Sequence, residues 1–265
     1  MVWRTARTLD AALAGEALTG CDLRWPTFAT TDLTGRTVLA VVSRGKHLLM
    51  RLDGDPPLTL HSHLRMEGSW RLYPAGQDAP TGASRRDDVR AVLRTSGWTA
   101  VGRRLGMLDV VRTHDEYRVV GHLGPDVLGE DWDPDLVERT LSRFSEQAIG
   151  EALLDQRVLA GVGTFYLAEV LFLRGVNPWT PTAQVRDVAA LLRLVHRLMV
   201  ANSGRVGQVT TGDTRPGRTS WVYGRAGRPC RRCGTPVATA AIGERPQERV
   251  VFFCPSCQPA QAARS

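Results

Sequence analysis

The sequence has almost no lysine, few cysteines and no long apolar run, and each shortage narrows the class of protein. No stretch approaches the roughly 18 apolar residues that a membrane span requires. The first residues also lack the apolar segment of a secretory signal peptide. We therefore expect a cytoplasmic protein with no membrane partner.

Lysine is nearly absent from a basic chain. The 34 Lys plus Arg exceed the 27 Asp plus Glu by 7 charges, so polyanions are the first partners to consider. Lys46 is the only lysine. Because lysine can lose its proton and arginine cannot, Lys46 is a candidate for chemistry, and a solvated surface residue is the alternative.

The five cysteines are distributed unevenly, and four of them lie in two Cys-x-x-Cys pairs near the end of the chain: Cys230, Cys233, Cys254 and Cys257. Two such turns can close a tetrahedral site of four thiolates, whereas a redox pair is the alternative. The segments TPVATAAIG and RVVFF, which lie between the two pairs, predict the two strands of a hairpin. We therefore predict a structural zinc ribbon. Cys21 is isolated, and we predict a small buried residue rather than a ligand.

The 265 residues, 43% of them hydrophobic, suffice for two medium domains. The spacing predicts an amphipathic helix over 3–18 and then short β-type runs to about 120, typical of an antiparallel sandwich or barrel. These runs are TVLAVV, KHLLMRL, LTLHSHL, SWRLY, VRAVLR and MLDVV. A stretch rich in Gly, Pro, Asp and Arg predicts an exposed loop from Pro74 to Asp88.

A helical half follows, with Asp133 and Pro134 as a predicted N-cap and first helical residue. The predicted helices cover 134–145, 148–155, 164–174 and 182–201. Gly175 and Pro178 predict the end of the third of them.

Two further segments favour phosphate binding. Six arginines and no acid occur in 215–232, and Arg249 lies near the turn of the predicted zinc hairpin. Such a finger could bring arginines to phosphate or into a groove, although a solvated basic face is the alternative. Gly161-Val162-Gly163 predicts a tight turn opening onto a helix N-terminus, where backbone amides and the helix dipole could bind a phosphate.

The stretch LLDQRVLAGVGTFYLAEVLFLRGVNP resembles the helix-two-turn-helix element of the formamidopyrimidine-DNA glycosylase / endonuclease VIII family. GRTVLAVVSRGKHLLMRL and HLRMEG resemble the family's N-terminal sheet domain, and GRRLGML resembles its groove-facing loop. VYGRAGRPCRRCGTP with FFCPSCQ resembles its zinc finger. The motifs occur in the family's order along nearly the whole chain, and GKHLL favours the endonuclease VIII-like branch.

The resemblance implies an α+β fold with a β-sandwich flanked by helices over 1–120, a helical domain with the helix-two-turn-helix over 121–228, and a zinc finger and tail over 229–265. It implies a monomeric bacterial base-excision repair enzyme, associated with the nucleoid, that holds damaged double-stranded DNA and one structural Zn²⁺. The damaged nucleotide must leave the stack before its glycosidic carbon can be attacked.

The resemblance also assigns residues in the sheet domain. Lys46 matches the lysine that contacts phosphate beside the lesion and is needed for activity. Met66 matches the residue that fills the void left by the flipped nucleotide, with Arg65 beside it. Arg103 and Arg104 resemble groove-facing arginines of the purine-specific branch, whose next residue is an aromatic wedge where this chain has Leu105.

In the C-terminal half, the resemblance assigns three residues to DNA phosphates. Arg249 matches the zinc-finger arginine that grips phosphate and assists the second elimination step. Gly163 and Thr164 lie in the turn, with Thr164 where the family usually has asparagine. The two Cys-x-x-Cys pairs match the family's zinc ligands.

The resemblance fails at the start of the chain. The family's nucleophile is an N-terminal proline followed by glutamate, whereas this sequence begins Met1-Val2-Trp3. An engineered truncation, a wrongly chosen start and a natural binder that does not cut are the three explanations. The amine of Val2, or that of Lys46, could still form a Schiff base with an abasic sugar.

Three functional hypotheses follow. The first is a glycosylase and abasic-site lyase that is inactive in this chain for lack of the proline and glutamate. The second is a non-catalytic damaged-DNA-binding protein with the same fold. The third is a zinc-ribbon RNA or ribosome-associated protein, which the sheet-domain motifs around Lys46 oppose.

Overall fold

The computed structural model describes residues 1–76 and 87–260. Most of the loop predicted from Pro74 to Asp88 therefore lies outside the described residues. The chain divides into two compact units, Met1–His122 and Leu123–Ser265. The second unit contains both the helices and the two cysteine pairs.

Unit 1 is an antiparallel β-sandwich with one long helix, which confirms the predicted fold class. Helix α1 is Val2–Leu13 and α2 is Tyr117–Val120. The strands are β1 (Gly20–Leu23), β2 (Val38–Arg44), β3 (His47–Leu52), β4 (Leu58–His63), β5 (Ser69–Pro74), β6 (Val89–Arg94), β7 (Trp98–Arg103) and β8 (Met107–Arg112). They form two sheets of four strands, in the orders β1-β6-β7-β5 and β2-β3-β4-β8.

The core of unit 1 is apolar and comes from both sheets and α1. Ala6, Leu9 and Leu13 lie on the buried face of α1, and they pack with strand leucines such as Leu52 and Leu60. Each fully buried leucine contributes about 2 kcal/mol relative to an exposed one. This core fixes the ends of β3, β4 and β8, where the polar residues of interest lie.

Unit 1 departs from the sequence prediction at three places. Helix α1 ends at Leu13 rather than near residue 18, because Gly15 has a left-handed φ of 84° and the next residues join the sheet region. Strands β1 and β7 were not predicted. Their short, mixed sequences, GCDL and WTAVGR, show no clear alternation of apolar and polar residues.

Up to residue 260, unit 2 contains four α-helices and one hairpin. They are α3 (Pro134–Leu141), α4 (Ile149–Leu154), α5 (Thr164–Arg174), α6 (Val188–Ser203), β9 (Ala238–Ile242) and β10 (Arg249–Phe253). Within the described ranges, no helix is long and apolar enough to cross a membrane.

The helix boundaries follow from their caps. The Asp133 side chain accepts a hydrogen bond from the backbone N–H of Leu136, as expected of an N-cap. Gly175 adopts the left-handed conformation that ends α5. The prediction that the last helix begins at 182 is wrong, because the Asp187 side chain caps α6 at Ala190 and a separate 3-10 turn covers Thr182–Gln184.

Helix α5 is the centre of unit 2. Its residues from Tyr166 to Phe172 are all buried. One side packs in the helical core with α4 and α6. The other contacts the cysteine region, where Phe172 packs with Val222, Val237 and Cys254.

Candidate nucleic-acid interface and metal centre

Lys46 lies in the two-residue turn between β2 and β3, which we call the Lys46 turn. Gly45 precedes it with φ 57°, a conformation that glycine adopts without strain. His47 follows as the first residue of β3 and is 9% exposed. The single lysine is thus presented at the end of a rigid antiparallel pair.

A hydrogen-bonded chain of polar side chains lies directly beside this turn. Asp109 Oδ2 lies 3.0 Å from Nδ1 of His61, and Nε2 of His61 lies 2.8 Å from Nδ1 of His47. His61 and Asp109 are cross-strand partners in β4 and β8. His47 is the partner of His63 in β3 and β4.

Four imidazoles meet here, and we call them the histidine cluster. The His47 ring stacks on His61 at a centroid distance of 5.0 Å and meets the edges of His63 and His122 at 4.8 and 6.1 Å. Burial, with the neighbouring imidazoles and Lys46, lowers the pKa of His47 to about 3. Burial and Lys46 lower the pKa of His63 to about 4. Both are therefore neutral near pH 7.

The turn between β4 and β5, residues 65–67, presents an apolar side chain to solvent. Met66 is 91% exposed, far more than is usual for methionine. Arg65 has a left-handed φ of 50°, and its backbone N–H donates to Nδ1 of His63 at 3.0 Å. His63 thus connects this turn, the Met66 turn, to the histidine cluster.

The two arginines at the end of β7 differ in accessibility. The Arg103 side chain is 12% exposed and pairs with Asp88 at 3.1 Å. The Arg104 side chain is 58% exposed and contacts Glu67 at 3.0 Å. Leu105 is 3% exposed, so it fills the core rather than projecting as a wedge.

The turn before α5 is fixed from one side. Gly161 has φ 99°, its N–H donates to Oε1 of Gln156, and Gln156 Nε2 donates to the Val162 carbonyl. Gly163 is the N-cap residue and Thr164 begins α5. As a glycine, Gly163 has no side chain that could accept from the first amides of α5.

Glu169 was not identified from the sequence, yet it is the most heavily hydrogen-bonded carboxyl group in this region. Its side chain is 0% exposed. It accepts from the backbone amides of Trp221, Val222 and Tyr223 at 2.7, 2.9 and 2.9 Å and from the Thr210 hydroxyl. A polar residue inside the apolar run LAEVLFL was the available signal.

The basic segment 215–232 is partly structural. Arg215 pairs with Asp213 at 2.6 Å. Arg225 is 9% exposed and donates to the carbonyls of Trp221 and Pro229. Arg231 donates to the carbonyls of Ser220 and Gly217, and the Arg232 guanidinium lies 4.4 Å from the Phe172 ring centroid. Four of the six arginines in this segment thus bind protein groups, which the arginine pattern along the chain did not predict.

The four paired cysteines converge. Their sulfur atoms all lie within 4.8 Å of one another, with 4.0 Å between Cys230 and Cys257 and 3.4 Å between Cys233 and Cys254. A tetrahedral Zn²⁺ with bonds of about 2.3 Å places its sulfurs roughly 3.8 Å apart. Backbone N–H groups of Arg232 and Cys257 point at the sulfurs of Cys230 and Cys254. The donor set fits a structural metal ion with no open position.

Arg249 and Cys21, whose places were also predicted from the sequence, lie in different units. Arg249 is the first residue of β10 and is exposed, beside the hairpin turn as predicted, where it donates to the Gln247 carbonyl at 2.7 Å. Cys21 lies in unit 1, outside the sulfur cluster, half-buried with its thiol 4.0 Å from the Thr31 carbonyl.

The fold is similar to that of a class of DNA-repair enzymes whose structures have been solved with DNA. The structure matches that of the formamidopyrimidine-DNA glycosylase of Lactococcus lactis bound non-covalently to DNA with an abasic site, with TM-score 0.80, 26% identity and 98% of each chain covered. It matches the same enzyme in complex with DNA containing a formamidopyrimidine lesion, with TM-score 0.80, 27% identity and the same coverage.

Sequence comparison places the chain in a family. Residues 2–115 match the formamidopyrimidine-DNA glycosylase N-terminal domain and 123–208 match that family's H2TH domain. The chain is 51% identical to a probable endonuclease 8 2 of Streptomyces coelicolor, over 99% of this chain and 94% of the relative. It is 43% identical to the DNA-(apurinic or apyrimidinic site) lyase Nei2 of Mycolicibacterium smegmatis, over 98% and 97%. The protein belongs to the formamidopyrimidine-DNA glycosylase / endonuclease VIII family of DNA glycosylases and abasic-site lyases, on its endonuclease VIII-like branch.

Proposed function

We propose that this protein recognises abasic and oxidised nucleotides in double-stranded DNA, and that its active form excises the base and cleaves the strand. The observation with the most weight is the similarity, over almost the full length of both chains, to a relative named as an abasic-site lyase. A DNA substrate also fits the net charge of +7 and implies action at the bacterial chromosome. We expect the protein to act as a monomer, as the family resemblance suggests.

In unit 1 we assign recognition to the two turns. Lys46 binds a phosphate beside the lesion, and its compact ammonium suits a point contact to phosphate. Met66 enters the space that the extruded nucleotide leaves; its apolar side chain is 91% exposed and so available to stack between bases. Arg65 and Arg104 contact the DNA near it. Arg103, which pairs with Asp88, is a further DNA contact beside Arg104.

In unit 2 we assign phosphate binding to three residues. Backbone amides at Gly163 and Thr164 bind one phosphate at the α5 N-terminus, with the Thr164 hydroxyl as a further donor. Arg249, exposed on the hairpin, binds another. One Zn²⁺ held by the four cysteines keeps this hairpin folded, because structural zinc contributes folding free energy directly.

The covalent step requires an amine at the N-terminus. In the family's chemistry, a proline nitrogen attacks C1′ of the sugar and the base departs with a proton. The sugar ring then opens as the glutamic acid protonates O4′, which leaves an iminium at C1′, and loss of a C2′ proton expels the 3′ phosphate by elimination. The printed sequence has no proline and glutamate ahead of Val2. We therefore propose that a polypeptide of this sequence binds abasic DNA, and that one with proline and glutamate before Val2 also cleaves it.

Binding and cleavage measured together test this function. We expect the printed chain to bind an abasic duplex at least about tenfold more tightly than an undamaged one, within the range of specificity ratios of DNA-binding proteins. We expect strand cleavage only with proline and glutamate before Val2. Equal affinity for the two duplexes would contradict damage recognition, and tight binding without cleavage by either form would instead support a non-catalytic binder.

A further inference from the structure

The histidine cluster has no part in the function assigned above, although His47 adjoins the Lys46 turn and His63 adjoins the Met66 turn. His61 is 0% exposed and His47 is 9% exposed. Such buried polar rings must be paired, or their burial would cost several kcal/mol by the usual estimates. The pairing that the structure shows, Asp109 to His61 to His47, constrains where each proton lies.

The proton positions follow from the acceptor at the end of the chain. An ionised Asp109 side chain only accepts hydrogen bonds, so His61 donates from Nδ1. The Nε2 of a neutral His61 then has a lone pair, and it accepts from Nδ1–H of His47 at 2.8 Å. A neutral His47 consequently has no proton on Nε2, and this nitrogen is a hydrogen-bond acceptor.

Two observations connect this tautomer to Lys46. Lys46 directly precedes His47 at the turn, and its charge acts on both His47 and His63, since it lowers the pKa of each. A neutral imidazole with a lone pair attracts an ammonium group, whereas an imidazole N–H or an imidazolium repels it. A His47 ring that accepts at Nε2 would therefore attract the neighbouring ammonium, and the chain from Asp109 sets that tautomer from across two strands.

We propose that His47 is a positioning residue for Lys46, and that Asp109, acting through His61, fixes His47 in the tautomer that accepts at Nε2. This inference rests on the proposed phosphate contact of Lys46. It adds three residues, on β3, β4 and β8, to those that the DNA contact requires. His63 performs the related task for the Met66 turn by accepting the Arg65 N–H.

Nitrogen NMR of the whole protein, labelled in histidine, tests the tautomers without any substitution. We expect His47 and His61 both to have the proton on Nδ1. Finding Nε2–H on His47 in the unaltered protein overturns the proposal. Asp109→Leu removes the acceptor, and we expect His61 and His47 to change to the Nε2–H form in that variant.

Binding to abasic duplex DNA as a function of salt tests the effect on Lys46. We expect Lys46→Met to weaken binding about tenfold and to reduce the magnitude of the slope of log K against log salt by about 0.9, the loss of one phosphate contact. Asp109→Leu should weaken binding about fivefold with Lys46 present and have no effect in the Lys46→Met background. An equal effect in both backgrounds would mean that Asp109 acts on the fold alone, and would overturn the proposal.

A matched control removes the same charge elsewhere in unit 1. Asp22 on β1 pairs with Arg24 at 2.8 Å and is as exposed as Asp109. We expect Asp22→Leu to leave the histidine tautomers and the salt dependence unchanged. If Lys46→Met itself binds like the unaltered protein, the proposed phosphate contact fails, and that result is distinguishable because the tautomers can still be as expected.

Discussion

The two units bury polar side chains in opposite ways. In unit 1, imidazoles are buried beside the Lys46 turn, and burial keeps His47 and His63 neutral. In unit 2, the carboxyl group of Glu169 is buried and four hydrogen-bond donors surround it. The burial of the imidazoles depends on which ring nitrogens have a proton. The burial of Glu169 depends on the loop 221–223, whose backbone amides donate to its carboxylate.

The two units should therefore lose stability through different changes. Neutral imidazoles are sensitive to acid, because protonation of a buried ring would create a poorly solvated charge. The Glu169 arrangement is sensitive to loss of the acceptor, because three backbone amides would then lack a partner. The sulfur cluster adds a third dependence to unit 2, on a metal ion.

The largest effect should come from removing the metal. We expect one zinc per chain, and we expect Cys254→Ser to abolish zinc binding and weaken affinity for abasic DNA at least about 30-fold. The reason is that the hairpin with Arg249 depends on the ion, whose binding free energy in zinc-finger peptides is about 10–16 kcal/mol. Zinc release measured with a thiol reagent and an indicator gives the stoichiometry.

Cys21→Ser is the matched control for this substitution. Cys21 lies outside the sulfur cluster, so the variant should retain one zinc and full affinity for DNA. Full affinity of the Cys254→Ser chain would show that the hairpin does not need the metal.

A smaller loss is expected from Glu169→Gln. The amide has one acceptor oxygen instead of two, and its NH₂ group would face backbone N–H donors. We expect the free energy of unfolding to fall by about 3 kcal/mol, the usual range for a buried charged group that loses its partners. Urea denaturation measures it, and a change below about 0.5 kcal/mol, the size expected for the exposed control Glu138→Gln, would contradict it.

Acid should weaken unit 1 through the histidine cluster. The pKa of His47 is about 3 in the folded protein and near the ordinary value of 6.5 when unfolded. The unfolded chain therefore binds the proton first, so the stabilisation is complete above pH 6.5 and is lost as the pH falls toward 3. We expect His47 to account for a loss of about 2 kcal/mol between about pH 7.5 and 5.

Thermal unfolding of His47→Gln across this pH interval checks the expectation. Its loss of stability on acidification should be smaller than that of the unaltered protein by about 2 kcal/mol. His114→Gln is the control, because the His114 side chain is 66% exposed and should leave the pH dependence as it is. Identical pH dependence of all three chains would show that His47 is not buried in its neutral form.

The smallest expected effect concerns Met66. Because its side chain is exposed, Met66→Ala should change the free energy of unfolding by less than about 0.5 kcal/mol. Affinity for abasic duplex DNA, followed by fluorescence anisotropy, should fall about threefold. Val206→Ala in unit 2 removes an equally exposed apolar side chain, 90% exposed, and should leave affinity unchanged; equal losses would refute a specific role for Met66.

Much of the fold could be predicted because its signals are local. Six strands of unit 1 follow short β-type runs, and Asp133 and Gly175 mark helix ends through backbone rules that need no tertiary contact. The cysteine spacing predicts the sulfur cluster for the same reason. Strands β1 and β7 could not be predicted, since their mixed sequences become strands by pairing with other strands, β1 with β6 and β7 with β5 and β6.

The candidate site could be predicted only in part. Lys46 and the Gly161–Gly163 turn are visible as unusual residues, and the roles of Met66 and Arg249 depend on the family resemblance. The Asp109–His61–His47 chain and the Glu169 contacts join residues up to 62 and 54 positions apart. Such contacts depend on strand register and loop packing, which no pattern along the chain specifies.

Borohydride trapping on DNA with an abasic site tests the central claim most directly. The printed chain and a chain with proline and glutamate before Val2 would be incubated with this DNA and reductant, and the covalent product located by peptide mapping. We predict a covalent complex at the new N-terminal proline and none with the printed chain. Absence of a complex with both chains, or a complex at Lys46, would contradict the proposed mechanism.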